Sequence, residues 1–126
     1  MTKSRIFTFG SNTAGRHGKG AALCALREHG AIYAQGSGLQ GGSYAIPTKG
    51  EVPGTGPRKK LYSLSLEEIH THVRIFLIFA GHNLQLDFQL TRIGCGLAGY
   101  TDKQIAPMFT GATGNVLFPE EWKPYV

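Results

Sequence analysis

The sequence has few of the features that mark membrane proteins or disulfide-rich domains. Its longest apolar run, Ile75–Ala80, is far shorter than the ~20 residues of a bilayer-spanning helix. The residues before the first strand-like segment lack the apolar core of a signal peptide. Cys24 and Cys95 have no CxxC spacing, so neither a disulfide scaffold nor a cysteine zinc site is indicated. We therefore expect a cytoplasmic protein with reduced thiols, no metal and no membrane partner.

Acidic residues are scarce as well. The chain has eight of them against thirteen Lys and Arg, which gives a net charge of +5. Residues 1–60 hold nine Lys and Arg with two acidic residues, whereas residues 61–126 hold four with six. This asymmetry favours an anionic partner near the first half, such as a nucleotide, a nucleic acid backbone or an acidic protein. A solvated basic face without a ligand is the alternative interpretation.

Glycine, in contrast, is abundant. There are 18 glycines among 126 residues, about twice the usual share. The chain length suits a single domain that spans residues 1–126. Six of the glycines lie in two segments that follow strand-like runs, Gly15–Gly20 (loop 1) and Gly94–Tyr100 (loop 2). Because glycine lets the backbone approach a ligand closely, these loops are candidates for a binding site.

Strand-like and helix-like segments alternate along the chain, which predicts an α/β fold. The sequence predicts a three-layer α/β/α sandwich around a mostly parallel sheet. The predicted elements are a strand Arg5–Phe9, a helix Ala21–His29 closed by Gly30, an extended piece Ala31–Ala34, a strand Ser43–Pro47 that ends at the proline, an exposed loop Lys49–Lys60, a helix capped by Ser65 that runs to Ala80, a strand Leu84–Ile93, a short helix capped by Asp102 and a strand Asn115–Phe118.

The two glycine loops suit a diphosphate. In an open α/β sheet, ligands lie at the carboxyl ends of strands, where helix N-termini supply free N–H groups. Two backbone cradles that face one crevice can donate several N–H groups to each phosphate. Neither loop has the spacing of a dinucleotide fingerprint or a P-loop. Two turns with a purely structural role are the alternative.

Four motifs in this order resemble the macro domain superfamily, and most closely a small bacterial and phage branch of macro domain-like proteins. They are FTFGSN (Phe7–Asn12), GRHGKGAA (Gly15–Ala22), SYAIPTK (Ser43–Lys49) and TRIGCGLAGY (Thr91–Tyr100). The resemblance covers roughly Arg5 to Phe118. It implies binding of ADP-ribose, a related nucleotide or an ADP-ribosylated macromolecule, with no cofactor. The strand that carries the adenine-contacting aspartate in typical macro domains has no counterpart before Arg5.

The resemblance also implies roles for individual residues. Asn12 corresponds to the asparagine that approaches the distal ribose, and the two loops hold the diphosphate, with Tyr100 as the closing aromatic. Asn12, which would position a water, is one catalytic candidate. The other is His17, which is selected from its own position between glycines and beside two cations and would act as a base. The ligand-binding candidates are Ser11, Asn12, Gly15, Arg16, Gly18, Lys19, Gly20, Gly94, Cys95, Gly96, Leu97, Ala98, Gly99 and Tyr100.

Other interpretations of the same residues, most of them purely structural, stay open at this stage. Asn12 would also cap the following turn, His17 would be an exposed loop residue, and Cys95 would be a nucleophile or merely a small residue in a tight loop. The sequence leaves a reader or sequestering protein, a weak ADP-ribosyl hydrolase and a basic nucleic-acid-binding module as alternatives. The last would use the cluster Arg58–Lys60, and nothing in the sequence indicates an oligomeric state.

Overall fold

The computed structural model describes residues 4–52 and 60–126. Two 3₁₀ helices, Ala106–Phe109 and Glu120–Tyr125, pack near the end of the chain. None of the described helices is long and apolar enough to cross a membrane. The regular elements are β1 (Ser4–Asn12), α1 (Gly20–Glu28), β2 (Gly38–Gln40), β3 (Ser43–Glu51), β4 (Leu61–Ser63), α2 (Leu66–Gly81), β5 (Leu86–Leu90), α3 (Asp102–Ile105) and β6 (Val116–Leu117).

The strands form one sheet with the order β2-β3-β1-β5-β6, and β4 pairs with the far end of β3. The three central pairings, β1 with β3, β1 with β5 and β5 with β6, are parallel. The short strands β2 and β4 pair with β3 in the antiparallel sense. The predicted mostly parallel sheet is therefore confirmed. Because β1 and β5 are parallel, their carboxyl ends lie at the same edge of the sheet.

Helices cover both faces of this sheet, which confirms the α/β/α layering. Along β1 the side chains alternate, so that Ile6 packs on one face and Phe9 on the other. The Phe9 face packs against Ala22 and Ala25 of α1. The other face buries the larger core, which includes Phe76 of α2 and Trp122. Ala22, in the first turn of α1, belongs to the same cluster as Phe9, so the helix begins close to the end of β1.

Helix α2 confirms its predicted periodicity and cap. Ile69, Val73, Phe76 and Ala80 are fully buried along one face. The Ser65 hydroxyl accepts a hydrogen bond from the Glu68 main-chain N–H at 3.1 Å, and the Glu68 carboxylate accepts one from the Ser65 N–H at 3.1 Å. This capping box satisfies two helix-terminal donors.

Strands β1 and β3 are longer than predicted. β1 continues through Gly10 and Ser11 to Asn12, and β3 runs past Pro47 to Glu51. The pairing of the two strands shifts register between Ser11 and Asn12, directly opposite the proline. A bulge at this point accommodates a residue that has no N–H for the ladder.

Three other predictions were wrong in detail. Residues 32–35 form a turn rather than an extended piece, and β2 begins at Gly38, four residues after Ala34. Thr101, not Asp102, caps α3, because its hydroxyl accepts a hydrogen bond from the Gln104 N–H at 3.3 Å. The predicted loop Lys49–Lys60 begins inside β3, which pairs with β4, while its residues 53–59 lie outside the described residues.

Candidate functional site

A cavity of about 730 Å³ opens where β1 and β5 end and α1 begins. β1 contributes its last three residues, α1 its first turn, β3 Thr48 and Lys49 at the bulge, and loop 2 most of its length. The lining residues are Gly10, Ser11, Asn12, Arg16, Gly18, Lys19, Gly20, Ala21, Ala22, Thr48, Lys49, Leu61, Thr91, Arg92, Ile93, Gly94, Cys95, Gly96, Leu97 and Ala98. Loops 1 and 2 thus border one cavity.

Asn12 shapes the start of loop 1. Its side-chain oxygen accepts a hydrogen bond from the Arg16 main-chain N–H at 2.9 Å, and its side-chain nitrogen donates to the Arg16 carbonyl at 3.0 Å. The two bonds fold residues 12–16 into a closed turn. The turn-forming interpretation of Asn12 therefore describes what its side chain does here, although Asn12 also lines the cavity.

Gly15 is required by the packing of the same turn. Its φ is +71°, and a Cβ at this position would lie 2.3 Å from the carbonyl carbon of Ala34. The Ala34 N–H donates to the Gly15 carbonyl at 2.9 Å. The turn at residues 31–36 thus supports loop 1 from behind, and only glycine fits between them.

The N-terminus of α1 borders the cavity. Lys19 is the N-cap residue, its side chain makes no capping hydrogen bond, and the first turn contains no acidic residue. Gly20, Ala21 and Ala22 of that turn line the cavity. The first N–H groups of a helix lack partners within the helix and carry partial positive charge, which favours an anion.

Loop 2 is held as a closed turn by its own backbone and by the neighbouring elements. The Tyr100 N–H donates to the Gly94 carbonyl at 2.9 Å, and the Tyr100 hydroxyl donates to the Leu64 carbonyl. The Ser63 hydroxyl donates to the Ala98 carbonyl at 2.7 Å. β4 and the residue after it therefore position the loop, while Gly96 stays exposed at the cavity.

The electrostatic character of the cavity is basic. Four cations line it, Arg16, Lys19, Lys49 and Arg92, and its described lining includes no Asp or Glu. Two of these cations form ion pairs with carboxylates outside the lining. The Arg16 guanidinium lies 3.2 Å from a Glu51 carboxylate oxygen, and the Arg92 guanidinium lies 2.8 Å from an Asp102 carboxylate oxygen. The Lys49 amine donates to the Leu97 carbonyl at 3.4 Å.

Cys95 lies beside the pair that Arg92 forms with Asp102. Hydrogen bonding from Arg92 lowers the pKa of Asp102 to about 2, and Trp122 also donates to this carboxylate at 2.7 Å. Burial, followed by the Asp102 carboxylate, raises the pKa of Cys95 to about 12. At neutral pH the thiol is therefore protonated, which favours its interpretation as a small residue in a tight loop over that of a nucleophile.

His17 does not line the cavity. It is fully buried, its Nε2 lies 3.1 Å from the Gln40 side-chain oxygen, and its ring packs edge-on against Phe9. The Gln40 oxygen also accepts a hydrogen bond from the Ile32 N–H at 2.8 Å, so Nε2 of His17 is the donor. The alternative of an exposed loop histidine is therefore wrong, and His17, the candidate base, lies outside the cavity lining.

Eleven of the fourteen ligand-binding candidates line the cavity. The other three, Gly15, Gly99 and Tyr100, shape the loops from outside the lining. Thr48 and Lys49 were not among the candidates predicted from the sequence, because they lie in the SYAIPTK motif beyond a proline that indicated the end of a strand. Thr91 and Arg92 were not among them either, although they open the TRIGCGLAGY motif. Arg58 and Lys59 lie outside the described residues.

Comparison with known proteins decides the fold. No family model and no curated protein matches the sequence. A solved structure described as a macrodomain protein from Streptomyces coelicolor matches over 94% of this chain and 87% of its own, with a TM-score of 0.57 and 16% identity. The chain has a macro domain-like fold. Within it, the two glycine loops lie on either side of the cavity at the carboxyl edge of the parallel strands.

Proposed function

We propose that the cavity of this macro domain-like protein binds ADP-ribose or a related nucleoside diphosphate, with the diphosphate between loops 1 and 2. The observation that carries this proposal is the pairing of two glycine loops across one cavity whose described lining holds four cations and no carboxylate. Main-chain N–H groups at the start of α1 and in loop 2 are the donors for the phosphate oxygens.

The size of the cavity supports a small-molecule ligand. Its volume of about 730 Å³ falls within the ~300–1,000 Å³ typical of ligand pockets. Two of the four cations are neutralised by ion pairs, with Glu51 and Asp102. Lys19, which is exposed beside the α1 N-terminus, carries the remaining attraction for a phosphate together with Lys49. A nucleotide diphosphate matches this charge in one cavity.

Within this proposal we favour a binding or sequestering role over efficient hydrolysis. Neither a histidine nor a carboxylate is among the described lining residues, so no side chain there is an evident general base. Asn12 still has unused hydrogen-bonding capacity and would position a water. A weak ADP-ribosyl hydrolase is therefore the catalytic version, and its turnover of ADP-ribosylated protein or nucleic acid would be lost in Asn12→Ala.

Thermal unfolding with a ligand panel tests the proposal. At about 100 times its dissociation constant, a ligand stabilises the folded state by about 2.7 kcal/mol, which raises the midpoint by several degrees in a domain of this size. We expect ADP-ribose to produce this shift, and AMP and a short oligonucleotide to produce less. A shift from the oligonucleotide that falls steeply with salt, without one from ADP-ribose, would support the nucleic-acid module instead.

A further inference from the structure

Three metal-binding residue types meet at the end of α1 that lies opposite the cavity. Cys24 and Glu28 are four residues apart on the helix, and His29 is the C-cap residue directly after it. The Cys24 sulfur, a Glu28 carboxylate oxygen and a His29 ring nitrogen all lie within 4.8 Å of one another. The nucleotide cavity involves only the first turn of the helix, so the two places are separate.

The spacing of these atoms matches tetrahedral coordination. Zinc bonds of ~2.3 Å to sulfur and ~2.1 Å to oxygen, at a tetrahedral angle, place the two ligand atoms about 3.6 Å apart. The Cys24 sulfur lies 3.6 Å from Glu28 Oε2, where the thiol donates a hydrogen bond to the carboxylate. Replacing the shared proton by a cation therefore requires little movement of either side chain.

The third donor has a fixed ring plane. The His29 imidazole stacks on Phe7 of β1, with ring centroids 4.2 Å apart and planes 7° from parallel. Stacking engages the face of the ring and leaves its two nitrogens at the edge. One of these nitrogens lies within 4.8 Å of the Cys24 sulfur and of a Glu28 carboxylate oxygen.

The last turn of α1 carries one basic residue, Arg27, beside Glu28. Glu28 lies within 4.0 Å of no Lys or Arg side chain in residues 4–52 and 60–126. The carboxyl end of a helix carries partial negative charge from its unpaired carbonyls. A divalent ion at this end therefore meets a carboxylate, a thiolate and the favourable end of the α1 dipole.

We propose that Cys24, Glu28 and His29 bind a divalent cation of the zinc class, with water in a fourth, open position. Thiolate, imidazole and carboxylate together select zinc over the hard cations Mg²⁺ and Ca²⁺, which prefer oxygen ligands. On binding, the metal–sulfur bond replaces the S–H bond of Cys24 and one proton is released to solvent. The oxidation states of metal and sulfur do not change. The bound ion would link Cys24 and Glu28 of α1 to His29, whose ring stacks on Phe7 of β1.

The test is a titration of the full, untagged and metal-free chain with Co²⁺ under a non-thiol reductant, since cobalt reports its ligands in the absorption spectrum. We expect a thiolate-to-cobalt charge-transfer band that saturates at one equivalent and disappears when Zn²⁺ is added. Cys24→Ser is expected to abolish the band. His29→Phe, which retains an aromatic ring over Phe7, is expected to lower the cobalt affinity, measured from the same band, at least tenfold. Cys95→Ser is the matched control and retains the band.

Absence of the band in the unaltered chain at millimolar Co²⁺ would overturn the proposal without reference to any variant. Persistence of the band in folded Cys24→Ser, or its loss in folded Cys95→Ser, would also overturn it. Alkylation of the unaltered chain provides a second measurement. Zn²⁺ is expected to protect Cys24, located by peptide mass, at least tenfold while Cys95 is unaffected, and equal rates for Cys24 with and without Zn²⁺ would contradict the site.

Discussion

At the scale of single residues, Asn12 shows how one side chain serves both the fold and the cavity. Its amide bonds the main-chain N–H and carbonyl of Arg16, so that it closes the turn from which loop 1 extends. An amide suits this role because it donates and accepts at once. The conformation of loop 1, and with it the direction of the first α1 donors, depends on this residue.

We predict that Asn12→Ala lowers the free energy of unfolding by about 1–3 kcal/mol, because the partly buried Arg16 N–H loses its acceptor and the Arg16 carbonyl loses one of its two donors. We also expect ADP-ribose affinity to fall at least tenfold, measured by calorimetry on the folded protein. Asn115→Ala is the control, since the Asn115 amide donates to three main-chain carbonyls far from the cavity. It should destabilise the fold and leave the affinity unchanged, and equal losses of affinity in both variants would contradict a specific role for Asn12.

Cys95 permits a second prediction at this scale. Because burial and Asp102 raise its pKa to about 12, its thiolate is scarce at pH 8. In Cys24→Ser, where Cys95 is the remaining thiol, iodoacetamide should react at least about a hundredfold more slowly than with a cysteine peptide at pH 8. The rate should keep rising up to pH 11. A plateau near pH 8.5 would show an accessible thiolate and restore the nucleophile interpretation.

At the scale of elements, the helices could be predicted well from the sequence and the strand ends could not. The period of Ile69, Val73 and Phe76 and the Ser65–Glu68 box are local signals, so α2 was predicted almost to the residue. The extension of β1 to Asn12 and of β3 past Pro47 depends on the partner strand and on a bulge between them. Such pairing is a tertiary property that a single strand does not encode.

The α2 cap yields a prediction at this scale. Ser65→Ala should cost about 1 kcal/mol of unfolding free energy, since the Glu68 N–H loses its acceptor. The change is best measured as a shift in the urea midpoint. ADP-ribose affinity should stay constant, because α2 packs on the sheet face away from α1. A cost below about 0.3 kcal/mol would indicate that the box contributes little in this fold.

The same contrast applies to the sites. Loops 1 and 2 could be selected from their glycines and from the resemblance, because both signals are local in the chain. Thr48 and Lys49 could be added to the site only once the sheet order was known, because this order places β3 beside β1. Burial of His17 followed from its contacts with Gln40 and Phe9, more than twenty residues away in one case. The Cys24, Glu28 and His29 cluster has a local signal, helical i,i+4 spacing, which we did not weigh.

At the scale of the whole molecule, the account depends on one arrangement. A parallel sheet gathers the ends of β1 and β5 at one edge, and α1 and loop 2 face each other there across the cavity. Part of the positive charge of the first half of the sequence lies at this cavity, since Arg16, Lys19 and Lys49 all border it. The diphosphate proposal therefore requires that a side chain placed between the loops block the ligand without unfolding the protein.

Gly96 and Gly114 supply the matched pair for that measurement. A Cβ added at either would meet no neighbouring atom within 4 Å, and neither has a positive φ, so both positions tolerate a side chain. Gly96 lines the cavity and Gly114 does not. Glutamate at Gly96 places a carboxylate where the phosphates are proposed to lie, whereas glutamate at Gly114 changes the net charge equally and elsewhere.

The most direct test is calorimetric titration of ADP-ribose into the unaltered chain, Gly96→Glu and Gly114→Glu, each first shown to unfold at a similar urea midpoint. The account predicts one site in the unaltered chain, the same affinity in Gly114→Glu, and at least a hundredfold weaker binding in Gly96→Glu. Undiminished binding in a folded Gly96→Glu, or no binding to the unaltered chain, would contradict it.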